Sequence, residues 1–389
     1  VLFRSHHARD AWRCDDRSEE VSLKLNPKKI GLALAAPVSA AIVSILISSL
    51  ALLVTKKSPI EAFRTMWEFG STTSSVIEAL NSATSYYIAA IAIAITFRAG
   101  LFNIGVEGQL RLGALFSMYL GAMLTLPPIL HVLAIFIIAM TVGGLWAAIA
   151  GILKVKRGIN EVISTIMLNS IAGAFSSYLF SQYFSVKVEG SNNLSTATLP
   201  ESGWMPNLSF LTNHLDKADT QGRAIYGMFA VAIALGVAFW WIVNRTRFGF
   251  ELRASGINPI AARVSGVNSK KMIVVAMISS GAIAGLSGLP TILAETHTYN
   301  MGFRAGLGFS AIAVALLGRN GAVGMAFASL LFSFLEVSSR SLELIDIAPE
   351  TYFIMQGSIL LSSVVAYEVV SRYRVKIVSN DLAKAVAHA

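Results

Sequence analysis

Ten apolar stretches dominate this sequence, and they constrain its fold more than any other feature. A helix needs about 20 mostly apolar residues to cross the hydrocarbon of a bilayer. Charged residues make up only 14% of the 389 residues, whereas soluble domains carry about 25%. The sequence therefore predicts an all-α membrane protein and excludes soluble, fibrous and disulfide-scaffold classes. The stretches are 30–54, 76–97, 109–126, 129–152, 160–184, 223–243, 272–294, 305–318, 321–338 and 351–371.

Ten transmembrane helices are the expected count. The stretch 305–318 is short for a full crossing, so eight or nine crossings with re-entrant pieces are the alternatives. An N-terminus on the inside places most loop Lys and Arg in the cytoplasm, as membrane proteins prefer, although Lys56 and Lys57 fall outside. Five stretches precede the polar segment 185–222 and five follow it. This parity predicts a second half of inverted topology, a pattern common in transporters.

The expected organisation has three parts. Residues 1–29 are charged and are expected to form a disordered tail, because they contain no apolar core. Residues 30–376 form the transmembrane domain, and 377–389 form a cytoplasmic tail. Within the domain, 185–222 is the long outer loop and 244–271 is a basic cytoplasmic loop.

The stretch FRAGLFNIGVEGQ, from Phe97 to Gln109, interrupts an apolar region with three glycines and several polar groups. A charge in the middle of a bilayer costs about 2.5–3.5 kcal/mol, so Glu107 is expected to face protein or water. One interpretation is a discontinuous helix beside a solute pathway, in which Asn103, Glu107 and Gln109 offer donors and acceptors. The other is a cytoplasmic turn with a surface ion pair between Glu107 and Arg111, which have favourable helical spacing.

A capped mini-helix is predicted in the cytoplasmic loop. Asn258 is a good N-cap, Pro259 suits the first helical position and Gly266 suits the C-terminal cap. A helix this short is not stable alone in water. It is either held by a partner protein or is a solvated loop with incidental caps.

Several enzyme motifs are absent or out of context. No phosphate loop is present, so the chain is not an ATPase by that route. Gly306 to Ala311 matches the dinucleotide fingerprint, but no strand precedes it. Ser287 lies in a Gly-Leu-Ser-Gly sequence like that of intramembrane proteases, without a His suitably placed on a facing helix. Gly281 and Gly285 are instead predicted to be a close helix-packing site.

Ion coupling is disfavoured by the few ionisable residues in the apolar stretches, because most lie near predicted helix ends. The single cysteine excludes an internal disulfide, and the net charge of +9 is explained by basic cytoplasmic loops rather than by nucleic-acid binding. The main intramembrane carboxylates are Glu78, Glu107, Glu161, Glu295 and Glu336.

These residues resemble a known family, the permease subunits of bacterial ABC importers for nucleosides and simple sugars, which are relatives of the ribose and branched-chain amino acid permeases. Residues 97–109 resemble the signature of the nucleoside-type branch. Supporting stretches are 158–169, 253–266 and 308–318, and the resemblance covers roughly 30–376.

The resemblance implies a multi-pass subunit of the bacterial cytoplasmic membrane, with both termini inside, that moves nucleosides inward by alternating access. It implies no enzyme activity and no cofactor on this chain, because two cytoplasmic ATPase subunits would use ATP and Mg²⁺. Other partners would be a second, non-identical permease, an extracytoplasmic substrate-binding lipoprotein and membrane lipid. Alternatives are a ribose or galactose permease, a stand-alone secondary carrier or an intramembrane enzyme.

The resemblance also implies roles for particular residues. Asn103, Glu107 and Gln109 would sit where the pathway narrows, and Phe97 or Phe102 could contact a nucleobase. The mini-helix would couple the permease to the ATPase. Its residues are Asn258, Pro259, Ala261, Ala262, Arg263 and Gly266.

Overall fold

The computed structural model describes residues 27–187, 194–300, 302–304, 306–366 and 369. The expected tail 377–389 lies outside the described residues, and so does 1–26, whereas 27–29 already belong to the first helix. The described helices are α1 (Pro27–Val54), α2 (Pro59–Gly70), α3 (Thr73–Arg98), α4 (Val106–Gly121), α5 (Pro128–Arg157), α6 (Glu161–Leu179), α7 (Lys217–Thr220), α8 (Met228–Arg245), α9 (Arg247–Ile257), α10 (Pro259–Val264), α11 (Ser269–Leu286), α12 (Leu289–Thr291), α13 (Leu307–Leu317), α14 (Ala322–Ser339) and α15 (Thr351–Ala366).

Shorter elements complete the described structure. Two strands, β1 and β2, form an antiparallel hairpin, which the all-helical prediction did not contain. The short elements are β1 (Ser185–Lys187), β2 (Leu194–Thr196), the π-helical turns Phe180–Phe184 and Ile292–Thr296, and the 3₁₀ turns Glu201–Gly203, Ser209–Leu211 and Arg340–Ile345.

Every apolar stretch of the sequence contains a helix, which confirms the prediction of a helical membrane protein. Within the described residues, six stretches are long and apolar enough to cross a membrane, and a seventh if the bent pair Ala41–Val54 and Pro59–Gly70 is one span. Three apolar stretches contain the shorter helices α4, α13 and α15. Ten crossings and an inverted repeat therefore remain predictions. The six are Thr73–Arg98, Pro128–Arg157, Glu161–Phe184, Met228–Arg245, Ser269–Thr296 and Ala322–Ile345.

Helix α3 forms the centre of the bundle. Its second half is apolar on all sides, and every residue from Ile88 to Thr96 is buried. A helix without a polar face belongs inside a protein rather than at its surface. The other long helices surround α3, and the main hydrophobic core forms along it.

Helices α5 and α11 approach each other through glycines. A Cβ atom built on Gly281 would lie 2.3 Å from the carbonyl oxygen of Gly143, and one on Gly285 would lie 2.1 Å from that of Ala139. No other residue fits at these positions without moving a backbone. The predicted small-residue packing site is confirmed, since close backbone approach is what such glycines allow in membranes.

Hydrogen bonds connect the long segment between α6 and α8 to the residues that follow α11. The Thr196 amide donates to the Tyr299 carbonyl, and the Leu199 amide donates to the His297 carbonyl, both at 2.9 Å. The imidazole of His297 stacks on the Trp204 indole, with ring centroids 3.9 Å apart. The described residues 194–227 of this segment therefore form a cap on one end of the bundle.

Candidate solute pathway and coupling surface

The chain leaves the helical conformation between α3 and α4, where the sequence predicts a break. Gly100 has a left-handed φ of +67°, and a Cβ atom there would lie 2.8 Å from the Gly256 carbonyl oxygen. Glycine is therefore required here for two reasons: other residues rarely adopt this backbone conformation, and there is no room for a Cβ atom. The last residue of α3, Arg98, donates to the Asn320 carbonyl at 2.9 Å, so its charge faces protein.

Two amide side chains hold the break together. Asn103 and Gln109 are each 1% exposed. The Asn103 Nδ2 atom donates to Gln109 Oε1 at 3.0 Å, and Gln109 Nε2 donates back to Asn103 Oδ1 at 3.1 Å. The same Asn103 also donates to the Ser280 hydroxyl of α11 and accepts from the Gly105 amide, each at 2.9 Å. Buried amides need such partners, because an unpaired one costs about 1–3 kcal/mol.

Glu107 joins α4 to the beginning of α13. Its two carboxylate oxygens accept from the amides of Gly306 at 3.0 Å and Gly308 at 2.8 Å. These amides lie in the first turn of α13, where helices have unpaired N–H groups and favour a negative charge. Arg111 approaches the same carboxylate at 3.5 Å, which confirms the predicted i,i+4 pair.

The structure adds residues that the sequence analysis did not assign. Asn169 of α6 accepts from the Gly108 amide at 2.9 Å and donates to the Ile104 carbonyl at 2.8 Å, so it bridges both sides of the break. Ser280 holds the same region from α11. The signal in the sequence was a lone Asn in the apolar α6, but its partners depend on how the helices are rotated.

The predicted pathway residues therefore lie together at the break. Phe97 and Phe102 are half-buried, with ring centroids 4.9 Å apart. The polar groups of Asn103, Glu107 and Gln109 are occupied by protein partners in this conformation. Their role toward a solute stays a prediction.

Each of the carboxylates singled out in the apolar stretches has a partner. Glu78 pairs with Arg223 at 3.1 Å and with Arg340, and Glu295 accepts from the Tyr226 hydroxyl. The Glu161 carboxylate pairs with Lys154, and Glu336 pairs with Arg304 at 3.1 Å. These carboxylates are therefore engaged by protein groups in this conformation.

The mini-helix is present as predicted. Asn258 Oδ1 accepts from the Ile260 and Ala261 amides at 3.0 Å, Pro259 is the first helical residue, and Gly266 has a φ of +82°. The cap assignments are confirmed.

The mini-helix presents one apolar face outward and one inward. Ala262 is only 4% exposed and packs on Val267 and Met272. It supports the loop and offers no surface to a partner, unlike the exposed Ala261 and Arg263. Three large apolar side chains point away from the bundle instead: Ile257, Ile260 and Val264 are 86%, 76% and 87% exposed.

The loop 244–271 contacts the helix break. Gly256 lies in the last turn of α9, directly before the mini-helix, and a Cβ atom on it would lie 2.5 Å from the Arg98 carbonyl oxygen. The same Cβ atom would lie 2.7 Å from the Gly100 amide nitrogen. Two backbones therefore meet here without an intervening side chain.

A separate groove of about 580 Å³ lies between α3, α8 and α14. Its lining is almost entirely apolar and includes Tyr87, Trp240 and Phe327. Such a lining suits hydrocarbon rather than a solute with many hydroxyl groups. The groove is distinct from the break.

The sequence is similar to a family of membrane permeases and to individual permeases. Residues 75–364 match the model of the family described as the branched-chain amino acid transport system / permease component. The chain is 33% identical over 351 residues to the guanosine ABC transporter permease protein NupP of Bacillus subtilis, covering 90% of this chain and 96% of the relative. It is 30% identical over 367 residues to the glucose ABC transporter permease protein TsgB13 of Haloferax volcanii, covering 92% and 94%. It is 32% identical over 288 residues to the nucleoside ABC transporter permease protein NupB of Lactococcus lactis subsp. cremoris, covering 74% and 78%.

Proposed function

The chain belongs to the branched-chain amino acid transport system / permease component family, and from this premise we propose that it is the permease subunit of an ATP-driven importer for nucleosides. The substrate class is supported by the guanosine and nucleoside permeases among its relatives. The observation that carries the mechanism is the backbone contact between Gly256 of the coupling loop and Gly100 of the helix break.

The mini-helix α10 is the docking element for a cytoplasmic ATPase subunit. Its exposed Ile260 and Val264, with Ile257 before it, offer an apolar patch that water solvates poorly. Burial of these side chains in a groove of the partner would supply the affinity. ATP and Mg²⁺ are used by that partner, and this chain needs no cofactor.

Movement of α10 reaches the pathway through α9. The Gly256–Gly100 contact transmits the displacement to residues 99–105. Beyond them, Asn103 and Glu107 connect α4 to α11 and α13. Rearrangement at this junction alternates access between the two sides, and Phe97 and Phe102 are the side chains left to contact a nucleobase.

Ten crossings in two inverted halves fit this arrangement. Helix α4 is third among the apolar helices of the first half, if the amphipathic α2 is set aside, and α13 is third in the second half. Both are short, at 16 and 11 residues, and the described residues directly before each one are not helical. Their N-terminal ends meet at Glu107, as related half-helices of opposite direction would.

The membrane is the bacterial cytoplasmic membrane, with both termini inside. A second, non-identical permease completes the pathway, two ATPase subunits drive it, and a lipoprotein delivers solute to the cap 185–222. The hydrogen bonds from the cap to residues after α11 support a surface firm enough to receive such a protein.

A simple sugar is the second candidate substrate. The glucose permease relative, which is 30% identical over 92% of this chain, favours it. A stand-alone carrier is disfavoured by the paired carboxylates. An intramembrane protease is disfavoured by Ser287, which is fully buried and donates its hydroxyl hydrogen to the Ala284 carbonyl at 2.7 Å.

Transport by the reconstituted complex tests the proposal. The chain would be placed in liposomes with the second permease, the ATPase subunits and the lipoprotein. Nucleoside uptake would be measured with and without ATP, with ribose, galactose and glucose as competitors. Nucleoside uptake that stops without ATP supports the proposal, and uptake of sugar alone selects the second candidate. Uphill accumulation by the purified chain alone contradicts it.

A further inference from the structure

The amphipathic helix α2 directly follows the apolar helix α1. The apolar part of α1 ends at Val54, the two lysines Lys56 and Lys57 follow, and α2 begins at Pro59. The axes of Ala41–Val54 and Pro59–Gly70 differ in direction by 115°. With α1 taken as a crossing helix, α2 begins at a membrane surface and, at this angle, runs closer to the membrane plane than to its normal.

One sector of α2 faces the helix bundle. Ala62 and Met66 are 0% and 3% exposed, and both belong to a small core with Leu342. A Cβ atom on Gly70 would lie 2.7 Å from the Phe334 ring, so the end of α2 is pressed onto α14. These residues recur every four positions, as one face of a helix requires.

A second sector of α2 is charged. Glu61, Arg64 and Glu68 are exposed, and Arg64 Nε pairs with Glu68 at 2.7 Å. This sector suits water, and its ion pair leaves little unpaired charge for a protein partner to complement.

A third sector is apolar and uncovered. Ile60 is 83% exposed and Trp67 is 67% exposed, while Phe63 between them is half-buried. At 100° per residue these side chains lie between the bundle sector and the charged sector. The uncovered apolar surface continues onto α1, where Leu50 and Val54 are 63% and 76% exposed.

We propose that α2 is an in-plane helix anchored in the lipid bilayer, with Ile60 and Trp67 buried at the boundary between headgroups and acyl chains. The order of the sectors (bundle, apolar, charged) matches a site where protein, lipid and water meet. Tryptophan is enriched at this depth because its ring is apolar and its N–H is polar. The exposed apolar side chains of α2 continue those of the apolar helix α1, so the same lipid environment covers both.

The anchor has a mechanical consequence. Gly70 contacts the Phe334 ring of α14, and Ala62 and Met66 pack in a small core with Leu342. Through these contacts, α2 connects the end of α14 to the lipid surface. The inference requires only that the chain lies in a membrane, so it stands apart from the proposed transport function.

Site-directed fluorescence tests the depth of α2. The single cysteine is removed by Cys14→Ser, and bimane is attached in separate variants at Ile60→Cys, at the charged-sector control Arg64→Cys and at the lipid-facing reference Val237→Cys of α8. All three parent side chains are exposed, so labelling leaves the packing intact. The proteins are reconstituted in phosphatidylcholine vesicles with and without spin-labelled lipid.

We expect spin-labelled lipid to quench the Ile60 probe at least half as strongly as it quenches the Val237 reference. We expect the Arg64 probe to be quenched mainly by aqueous iodide. Equal iodide quenching at Ile60 and Arg64 would place this sector in water and overturn the proposal. An Ile60 probe shielded from both quenchers would mean that protein covers it, and this also overturns the proposal. The Val237 reference verifies insertion, and none of these readings depends on transport.

Discussion

Replacement of Ile260 by alanine is the sharpest test of the coupling surface. The substitution removes the equivalent of three buried carbon groups, each worth about 0.8 kcal/mol when taken out of water. Ile260 is 76% exposed in the free chain, so complete burial on docking would make the loss about 2 kcal/mol. That corresponds to about a 30-fold weaker complex with the ATPase subunit. Folding is expected to be unaffected, because the side chain has few contacts to lose.

The assay is the equilibrium affinity of the purified permease for its ATPase, measured in the same detergent for each variant. Ile233→Ala is the matched control, since Ile233 is 52% exposed but lies on the membrane-crossing α8. Its affinity should equal that of the unmodified chain. If Ile260→Ala binds as tightly as the control, α10 is not the docking element.

Three further changes probe the break and the cap. Glu107→Gln should lower both the thermal midpoint and transport, because it removes a charge-assisted hydrogen bond worth about 1.5–3 kcal/mol; lost transport at full stability would instead indicate direct solute contact. Gly256→Ala should uncouple ATP hydrolysis from uptake at least several-fold, because its Cβ meets backbone at 2.5 Å, whereas Gly173→Ala, with nothing within 4 Å, should be silent in the same assay. Burial lowers the pKa of His297, so the folded chain binds this proton less readily than the unfolded chain, and stability is lost as pH falls below about 6.5; scanning calorimetry should find a smaller acid loss in His297→Gln, and an equal loss would refute the assignment.

Local features were predictable from the sequence because they depend on neighbours in the chain. The Asn258 cap, the Gly100 turn and the Glu107–Arg111 pair all follow from spacing of a few residues. Hydropathy likewise predicted ten apolar stretches, and each of them contains a helix in the structure. The number of membrane crossings could not be predicted from hydropathy. Helices α4 and α13 are shorter than a crossing, and hydropathy alone does not show where a helix begins.

Long-range features were not predictable, because they depend on helix rotation and on distant residues. The amides that Glu107 binds are about 200 positions away in the chain, at Gly306 and Gly308. The family resemblance assigned Ala262 to coupling, but its side chain points inward. The exposed Ile260 was overlooked for the same reason, since a six-residue helix gives too few positions to define its buried side.

The glycine contact between α5 and α11 sets a boundary on motion within the molecule. At Gly143 and Gly281 the two backbones touch without side chains between them, so neither helix can slide or rotate without a carbonyl clash. We expect these two helices to move as one unit. Glycine contacts also join α4 to its neighbours. A Cβ atom on Gly113 would lie 2.8 Å from the Gly285 Cα atom of α11, and one on Gly308 of α13 would lie 2.5 Å from the Glu107 amide nitrogen. Rearrangement of these helices therefore has to separate backbones in direct contact rather than shift side chains.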